Sequence, residues 1–160
     1  MPGDGKTAGR SISTPAPVRA AEACRHRRVQ LEEMPRSAFD TEIGLTYTEL
    51  TTDGVKAHLE VEPHLHQPMG IVHGGVWCAV VESLASVSAH LWLSENGGGN
   101  VVGVNNSTDF LRAVSEGKVF GVSEPIHRGR LQQLWLVTIR DSAQRLIARG
   151  QVRLQNLAER

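Results

Sequence analysis

One apolar segment restricts the possible folds of this chain more than any other feature. The segment HQPMGIVHGGVWCAVVESLASVSAHLWL runs from His66 to Leu93, and beyond its Gly-Gly pair the only formal charge is Glu82. A membrane span needs ~20 consecutive apolar residues, whereas glycines, serines and Glu82 interrupt this segment. Helical spacing places its bulky aliphatic residues on one stripe, which predicts a long helix packed on a sheet. The stripe consists of Val76, Val80, Leu84, Val87 and Leu91.

The opposite side of the predicted helix carries Glu82 among small side chains. A solvent-exposed helix face is usually rich in Lys, Arg and Glu, and this face is not, so something is expected to cover it. A second copy of the same helix is the simplest cover, which predicts a homodimer. An ion pair of Glu82 with His90 or an arginine is the structural alternative. The small residues on this side are Cys78, Ala79, Ala85, Ser86 and Ala89.

Alternating apolar and polar residues predict strands on both sides of the helix. LTYTEL and VKAHLEVE flank Thr52-Asp53-Gly54, a hairpin signal, and a short helix, SAFDTEI, precedes them and ends at Gly44. Two strands, one helix and four strands joined by short links predict an α+β fold in which an antiparallel sheet packs on one central helix. The four later strands are VVGVNNSTDFL, GKVFGVSEPIH, LQQLWLVTIRD and RLIARGQVRLQ.

The chain is predicted to hold one folded domain, residues 36–160, after a disordered basic tail, residues 1–35. The tail is rich in Gly, Pro, Ala, Ser and Arg and shows no periodicity that would bury an apolar face. Residues 1–28 contain no apolar leader core. Cys24 and Cys78 lie in unlike contexts, which argues against a disulfide framework or a zinc site. A cytoplasmic location is therefore expected.

The formal net charge of zero conceals an uneven distribution of charge. Residues 29–109 carry two Lys/Arg against eleven Asp/Glu, whereas residues 110–160 carry nine against four. The basic last third predicts an anionic partner, with solvated strand faces as the alternative. Nucleic acid is not the expected partner, because the basic tail has no aromatic residue on which a base could stack.

His73-Gly74-Gly75 stands where the long helix should begin. A helix start presents unpaired backbone N–H groups and a positive dipole end, and glycine leaves room for a ligand to reach them. Such groups can stabilise the oxyanion formed during acyl transfer. Gly74 and Glu82 are eight residues apart, roughly 12 Å of helix at ~1.5 Å per residue, so one helix cannot bring both to one carbonyl group. Two antiparallel helices from two protomers could do so.

The spacing of four polar or glycine features resembles that of a known family. Five residues separate Gln67 from the HGG triplet, six separate HGG from Glu82, and three separate Glu82 from Ser86. The pattern is similar to the hotdog-fold acyl-CoA thioesterases, especially the phenylacetate-pathway thioesterases and the Arthrobacter-type 4-hydroxybenzoyl-CoA thioesterase. The resemblance covers residues 36–156. The phenylacetate-type branch usually has Asn and Asp where this chain has Gln67 and Glu82.

This resemblance implies a role for each residue of the pattern. The N–H of Gly74 would polarise the thioester carbonyl, Gln67 would position the reacting group, and Gly75 would contact substrate. Glu82 of the facing subunit would be the nucleophile or the general base. Ser86 would orient that carboxylate or a water molecule. His73 would shape the loop, with direct acid–base chemistry as the alternative.

The resemblance also implies acyl-CoA as the substrate, without cofactor, metal, nucleic acid or membrane, in a homodimer or homotetramer. Arginine forks suit the phosphates of coenzyme A. Asn106 and Ser107 would contact the pantetheine amides or satisfy local backbone groups. A non-catalytic acyl-CoA-binding protein is the main alternative, and hydration of an enoyl-CoA is disfavoured because no Asp and His pair of the expected kind is present. The arginines predicted at the nucleotide are Arg112, Arg128 and Arg130.

Overall fold

A computed structural model describes Gln30 and residues 37–158 of the chain. The tail predicted for residues 1–35 therefore lies, apart from Gln30, outside the described residues, and its disorder stays a prediction. Two helices, a short 3-10 turn and six strands make up the described part. Their bounds are α1 Ala38–Glu42, β1 Thr46–Thr51, β2 Gly54–Glu60, the 3-10 turn Pro63–Leu65, α2 Gly74–Glu95, β3 Asn100–Phe110, β4 Lys118–Arg128, β5 Gln132–Asp141 and β6 Leu146–Leu157.

The six strands form one antiparallel sheet in the order β1-β2-β4-β5-β6-β3. Helix α2 contacts every strand and contacts β3 most extensively. The predicted α+β fold, with an antiparallel sheet around one long helix, is confirmed. The element order is also confirmed, and the 3-10 turn was not predicted. By length and hydropathy α2 could cross a bilayer, but in this fold it is the core helix of the sheet.

The buried face of α2 is wider than the aliphatic stripe suggests. Val80, Leu84 and Leu91 are buried as predicted. Ala85 and Ala89 are fully buried inside the protomer, so their predicted place on a face covered by a second copy is wrong. The reason is that a twisted six-stranded sheet curves around the helix and covers a broad arc of it. The part of α2 that stays half-exposed contains Cys78, Ala79, Glu82 and Ser86.

The first hairpin depends on a glycine. Gly54 opens β2 with φ +148°, and a Cβ at this position would lie 2.2 Å from the backbone oxygen of Ser123 on β4. Only glycine combines this conformation with so close a backbone approach. The hairpin signal at residues 52–54 is thereby confirmed, and it brings β2 against β4 in register.

Helix α1 is attached to α2 through a buried carboxylate. Asp40 is 7% exposed and accepts hydrogen bonds from the Tyr47 hydroxyl (3.0 Å) and from the Ser83 hydroxyl (2.6 Å). Burial, and then the neighbouring Asp40 carboxylate, raise the pKa of Tyr47 above its ordinary value, so this phenol remains a donor. Ser37 starts α1 as its N-cap, and Gly44 follows its end with φ +76°.

Asp40→Ala is expected to lower the free energy of unfolding by about 2–4 kcal/mol. The substitution leaves the hydroxyls of Tyr47 and Ser83 without their acceptor, and an unpaired buried polar group costs about 1–3 kcal/mol. Urea unfolding at fixed protein concentration measures the change, because oligomerisation would otherwise shift the midpoint. Glu42→Ala, an exposed position of the same helix, is the matched control and should change stability by less than about 0.5 kcal/mol. Equal effects of the two substitutions would contradict the attachment.

Candidate functional site

The start of α2 is shaped by His73 and by an aromatic ring. His73 is the N-cap, with φ −63° and ψ 132°, and its Nδ1 accepts a hydrogen bond from the Gly75 N–H at 2.9 Å. The Gly75 N–H is therefore occupied by His73, which fits the predicted loop-shaping role of that histidine. A Cβ on Gly74 would lie 2.6 Å from the ring of Phe110, so the ring packs directly on the backbone of Gly74. The side chain of His73 therefore caps the N–H of Gly75 and not that of Gly74.

The loop before α2 holds Gln67 beside this helix start. Backbone hydrogen bonds from Gln67 N to Ile71 O and from His73 N to Leu65 O close the loop on itself. The side-chain oxygen of Gln67 accepts from the N–H of Met69. The NH₂ group of the half-buried Gln67 amide is consequently the part of the side chain that can act on a ligand.

Glu82 lies on the half-exposed part of α2 and is held by β3. Its Oε2 accepts a hydrogen bond from Asn106 Nδ2 at 3.0 Å, and the Ser86 hydroxyl lies 3.4 Å from its Oε1. Within residues 37–158 Glu82 forms no ion pair with His90 or with an arginine. The structural alternative for this carboxylate is therefore not observed in the described part. Ser86 lies one turn from Glu82, as the sequence predicted.

Three residues of this site were not predicted from the sequence as parts of it: Gly103, Thr108 and Phe110. A Cβ on Gly103 would lie 2.2 Å from Glu82 Oε1, so the carboxylate occupies the space where a side chain would start. The pairing of β3 with β6 shifts register between Gly103 and Asn105. A glycine inside a strand pattern marks a bulge or a close approach, and this was the signal available in VVGVNN.

Gly74 and Glu82 do not come together within one protomer. Both belong to α2 and lie roughly 12 Å apart along its axis. Gln67, His73 and Gly74 form one half of the predicted site, and Glu82 with Ser86 forms the other half. The prediction that both halves act on one carbonyl group would therefore need two protomers.

The three predicted nucleotide-binding arginines lie in different places. Arg112 is exposed and follows Phe110, whose ring touches the start of α2. Arg128 pairs with Asp53 at 2.6 Å and lies over the rings of Trp92 and Trp135 at 5.7 and 5.9 Å. These contacts give Arg128 a packing role near the far end of α2. Its role at a nucleotide remains a prediction.

Arg130 and Ser107 are exposed, and in the described part neither side chain is hydrogen-bonded to Glu82. The backbone oxygen of Arg130 accepts a hydrogen bond from Asn156 Nδ2 at 3.2 Å. Ser107 alternates with the inward-pointing Asn106 and therefore lies on the outer face of the sheet. Asn106 is brought to Glu82, whereas Ser107 is not.

Comparison with known proteins gives matches over most of the described part. The family model described as the thioesterase superfamily matches residues 69–148. The Mycobacterium tuberculosis protein Rv1847, described as a candidate esterase, is 61% identical over 123 residues, which cover 76% of this chain and 88% of that protein. Its solved structure has 60% sequence identity and a TM-score of 0.76, covering 78% of this chain and 99% of that one.

Two further relatives carry thioesterase names. The proofreading thioesterase EntH of Cronobacter sakazakii is 37% identical over 118 residues, 72% of this chain and 85% of that protein. The solved structure of thioesterase HI1161 from Haemophilus influenzae has 32% identity and a TM-score of 0.70, covering 77% of this chain and 86% of that one. The resemblance stated from the Gln67 to Ser86 pattern is confirmed by these matches, and so is the hotdog fold.

Proposed function

The chain belongs to the thioesterase superfamily and is a thioester hydrolase, and we propose that it cleaves aryl- or fatty-acyl-CoA with Glu82 as the acting carboxylate. One observation carries this proposal. A half-exposed carboxylate on the core helix is held by an amide and a hydroxyl instead of a cation, and it packs against a glycine of β3. A purely structural glutamate would be expected to pair with a cation or to lie at the surface.

The proposed site is shared by two protomers. Strand β3 is an edge of the sheet and exposes Val102 (43%) and Val104 (53%), although edge strands usually avoid exposed apolar residues. Pairing of two β3 edges by a two-fold axis would continue the sheet and set two α2 helices antiparallel. Gly74 of the second protomer could then approach Glu82 of the first, and each dimer would have two sites. A homotetramer would be two such dimers.

The chemistry follows from these two groups. The thioester oxygen accepts a hydrogen bond from the Gly74 N–H at the positive end of α2, which stabilises the oxyanion as the carbonyl carbon is attacked. Glu82 either attacks the carbon itself, giving a mixed anhydride that water opens, or takes a proton from the attacking water. Both routes release the thiol of coenzyme A and a free carboxylic acid. Gln67 and Ser86 would orient the carbonyl group and the carboxylate.

The second candidate is a non-catalytic acyl-CoA-binding protein. The same arrangement would serve it, with Arg112 and Arg130 at the phosphates of the nucleotide and without turnover. The fixed position of Glu82 favours catalysis, because a binding protein has no need of an unpaired carboxylate next to a thioester.

Thiol release from a panel of benzoyl-, phenylacetyl-, hydroxybenzoyl- and fatty-acyl-CoAs tests the proposal. We expect turnover of at least one member, and the better substrates would define the acyl pocket. Calorimetric titration with the same acyl-CoAs separates the two candidates. Binding without thiol release across the panel would overturn the enzyme proposal in favour of the binding protein. Hydrolysis of simple oxygen esters to acid and alcohol, with no thiol release from any CoA thioester, would overturn the choice of substrate.

A further inference from the structure

Asn106 has its hydrogen-bonding groups directed to partners within the protomer. Its Nδ2 donates to the Cys78 backbone oxygen at 3.0 Å and to Glu82 Oε2 at 3.0 Å, and its Oδ1 accepts from the Thr108 hydroxyl at 2.7 Å. A backbone oxygen can only accept, so the Cys78 contact fixes which end of the amide faces α2. The amide is thus held on three sides and presents one N–H to the carboxylate.

The two oxygens of Glu82 lie in different surroundings. Oε2 is held by Asn106, whereas among residues 37–158 Oε1 has only the Ser86 hydroxyl at 3.4 Å, a long contact. Oε1 also lies over Gly103, where a Cβ would be 2.2 Å away, compared with 3.7 Å for Oε2. Gly103 is exposed and belongs to the edge strand β3. Oε1 is consequently the less firmly held of the two oxygens, and it lies against the backbone of β3.

We infer that Asn106, supported by Thr108, is a positioning residue that anchors Oε2 and leaves Oε1 to act on the thioester or on water. This inference rests on the proposed function of Glu82. It replaces the sequence-based role of Asn106 at the pantetheine amides, because both of its amide hydrogens already donate within the protomer. Thr108 acts one step further away, by fixing the amide plane of Asn106.

The two roles of Asn106 predict different kinetics. Loss of a positioning residue lowers kcat with little change in KM, because substrate contacts persist while the attacking oxygen is misplaced. Loss of a substrate contact raises KM first. A misplacement of about 1 Å can cost about a hundredfold in rate. Asn106→Leu removes the hydrogen bonds at similar volume, and Asn106→Asp in addition places a second carboxylate against Glu82.

Steady-state kinetics on the best acyl-CoA of the panel tests the inference. We expect kcat to fall about tenfold to a hundredfold in Asn106→Leu, further in Asn106→Asp, with KM within about twofold. Gln151→Glu is the matched control, because this exposed amide lies on β6, which is not the edge proposed to meet the second protomer. A raised KM with unchanged kcat, or no change at all, would overturn the inference.

Thr108 gives a milder test in case the Asn106 variants do not fold. Thr108→Val removes the hydroxyl at constant shape and should lower kcat several-fold, whereas Thr108→Ser keeps the hydroxyl and should restore it. Equal kcat values for these two variants would overturn the supporting role. A wild-type protein without turnover would defeat the proposed function instead. In that event crystal structures of wild type and Asn106→Leu decide, because the positioning role requires the Glu82 carboxylate to move in the variant.

Discussion

Glu82→Gln is expected to lower kcat for acyl-CoA hydrolysis by about 10²- to 10⁴-fold, the range in which general acid–base groups contribute. The amide keeps the shape of the side chain but can neither attack a carbonyl nor take a proton. Binding of acyl-CoA should persist, because the substrate contacts come from other residues. Thiol release measures kcat, and calorimetry of the variant measures the dissociation constant.

The control for this substitution is Glu124→Gln, an exposed glutamate on β4, a strand that lies three positions from β3 in the sheet order. It should leave kcat within about twofold of wild type. Sedimentation of both variants at equal concentration verifies that the assembly is intact. A Glu82→Gln protein that is folded, assembled and still fully active would remove Glu82 from the mechanism.

Gly74→Pro is expected to lower kcat by about 10²- to 10³-fold, the usual loss when one oxyanion donor is removed. Gly74 is the first residue of α2, where proline is tolerated, and His73 already has the extended conformation that proline demands of its predecessor. The backbone N–H is then the main group lost. Gly74→Ala is the matched control, because it makes the same Cβ contact with the Phe110 ring and keeps the N–H. Similar losses in both variants would assign the effect to Phe110 and not to the donor.

Mixing these two inactive variants tests whether the site is shared. Random assembly of Glu82→Gln with Gly74→Pro makes half of the dimers mixed, and each mixed dimer would have one intact site of two. About a quarter of wild-type activity should therefore return after co-expression. A site contained within one protomer would give no recovery above the activities of the separate variants.

The sequence predicted the elements better than it predicted their contacts. Strand alternation and the Gly54 turn gave six strands at the observed places, because these signals are local. The aliphatic stripe of the predicted helix correctly indicated that Leu84 and Leu91 are buried, but the helical projection placed Ala85 and Ala89 on the wrong face. A helical projection does not include the curvature of the sheet, and this curvature decides how wide an arc of the helix is covered.

The same limit applies to the candidate site. Gln67, Gly74 and Glu82 were selected as candidates because they lie close together in the chain and follow a recognisable spacing. The contact between Asn106 and Glu82 joins residues that are 24 positions apart, and it exists only because β3 packs beside α2. Arg128 was selected for its charge, whereas its partners in the β1–β2 turn, on β5 and on α2 come from tertiary structure.

The close packing of Gly103 on Glu82 makes the residue types allowed at one position of β3 depend on the residue at one position of α2. Gly103 can acquire a side chain only if Glu82 withdraws, since the first carbon of that side chain and Oε1 would occupy the same space. An acid one methylene shorter at position 82 would free that space and make a small side chain at position 103 acceptable. Positions 82 and 103 are therefore expected to change together among descendants of this fold, and a substitution at either one alone should be rare.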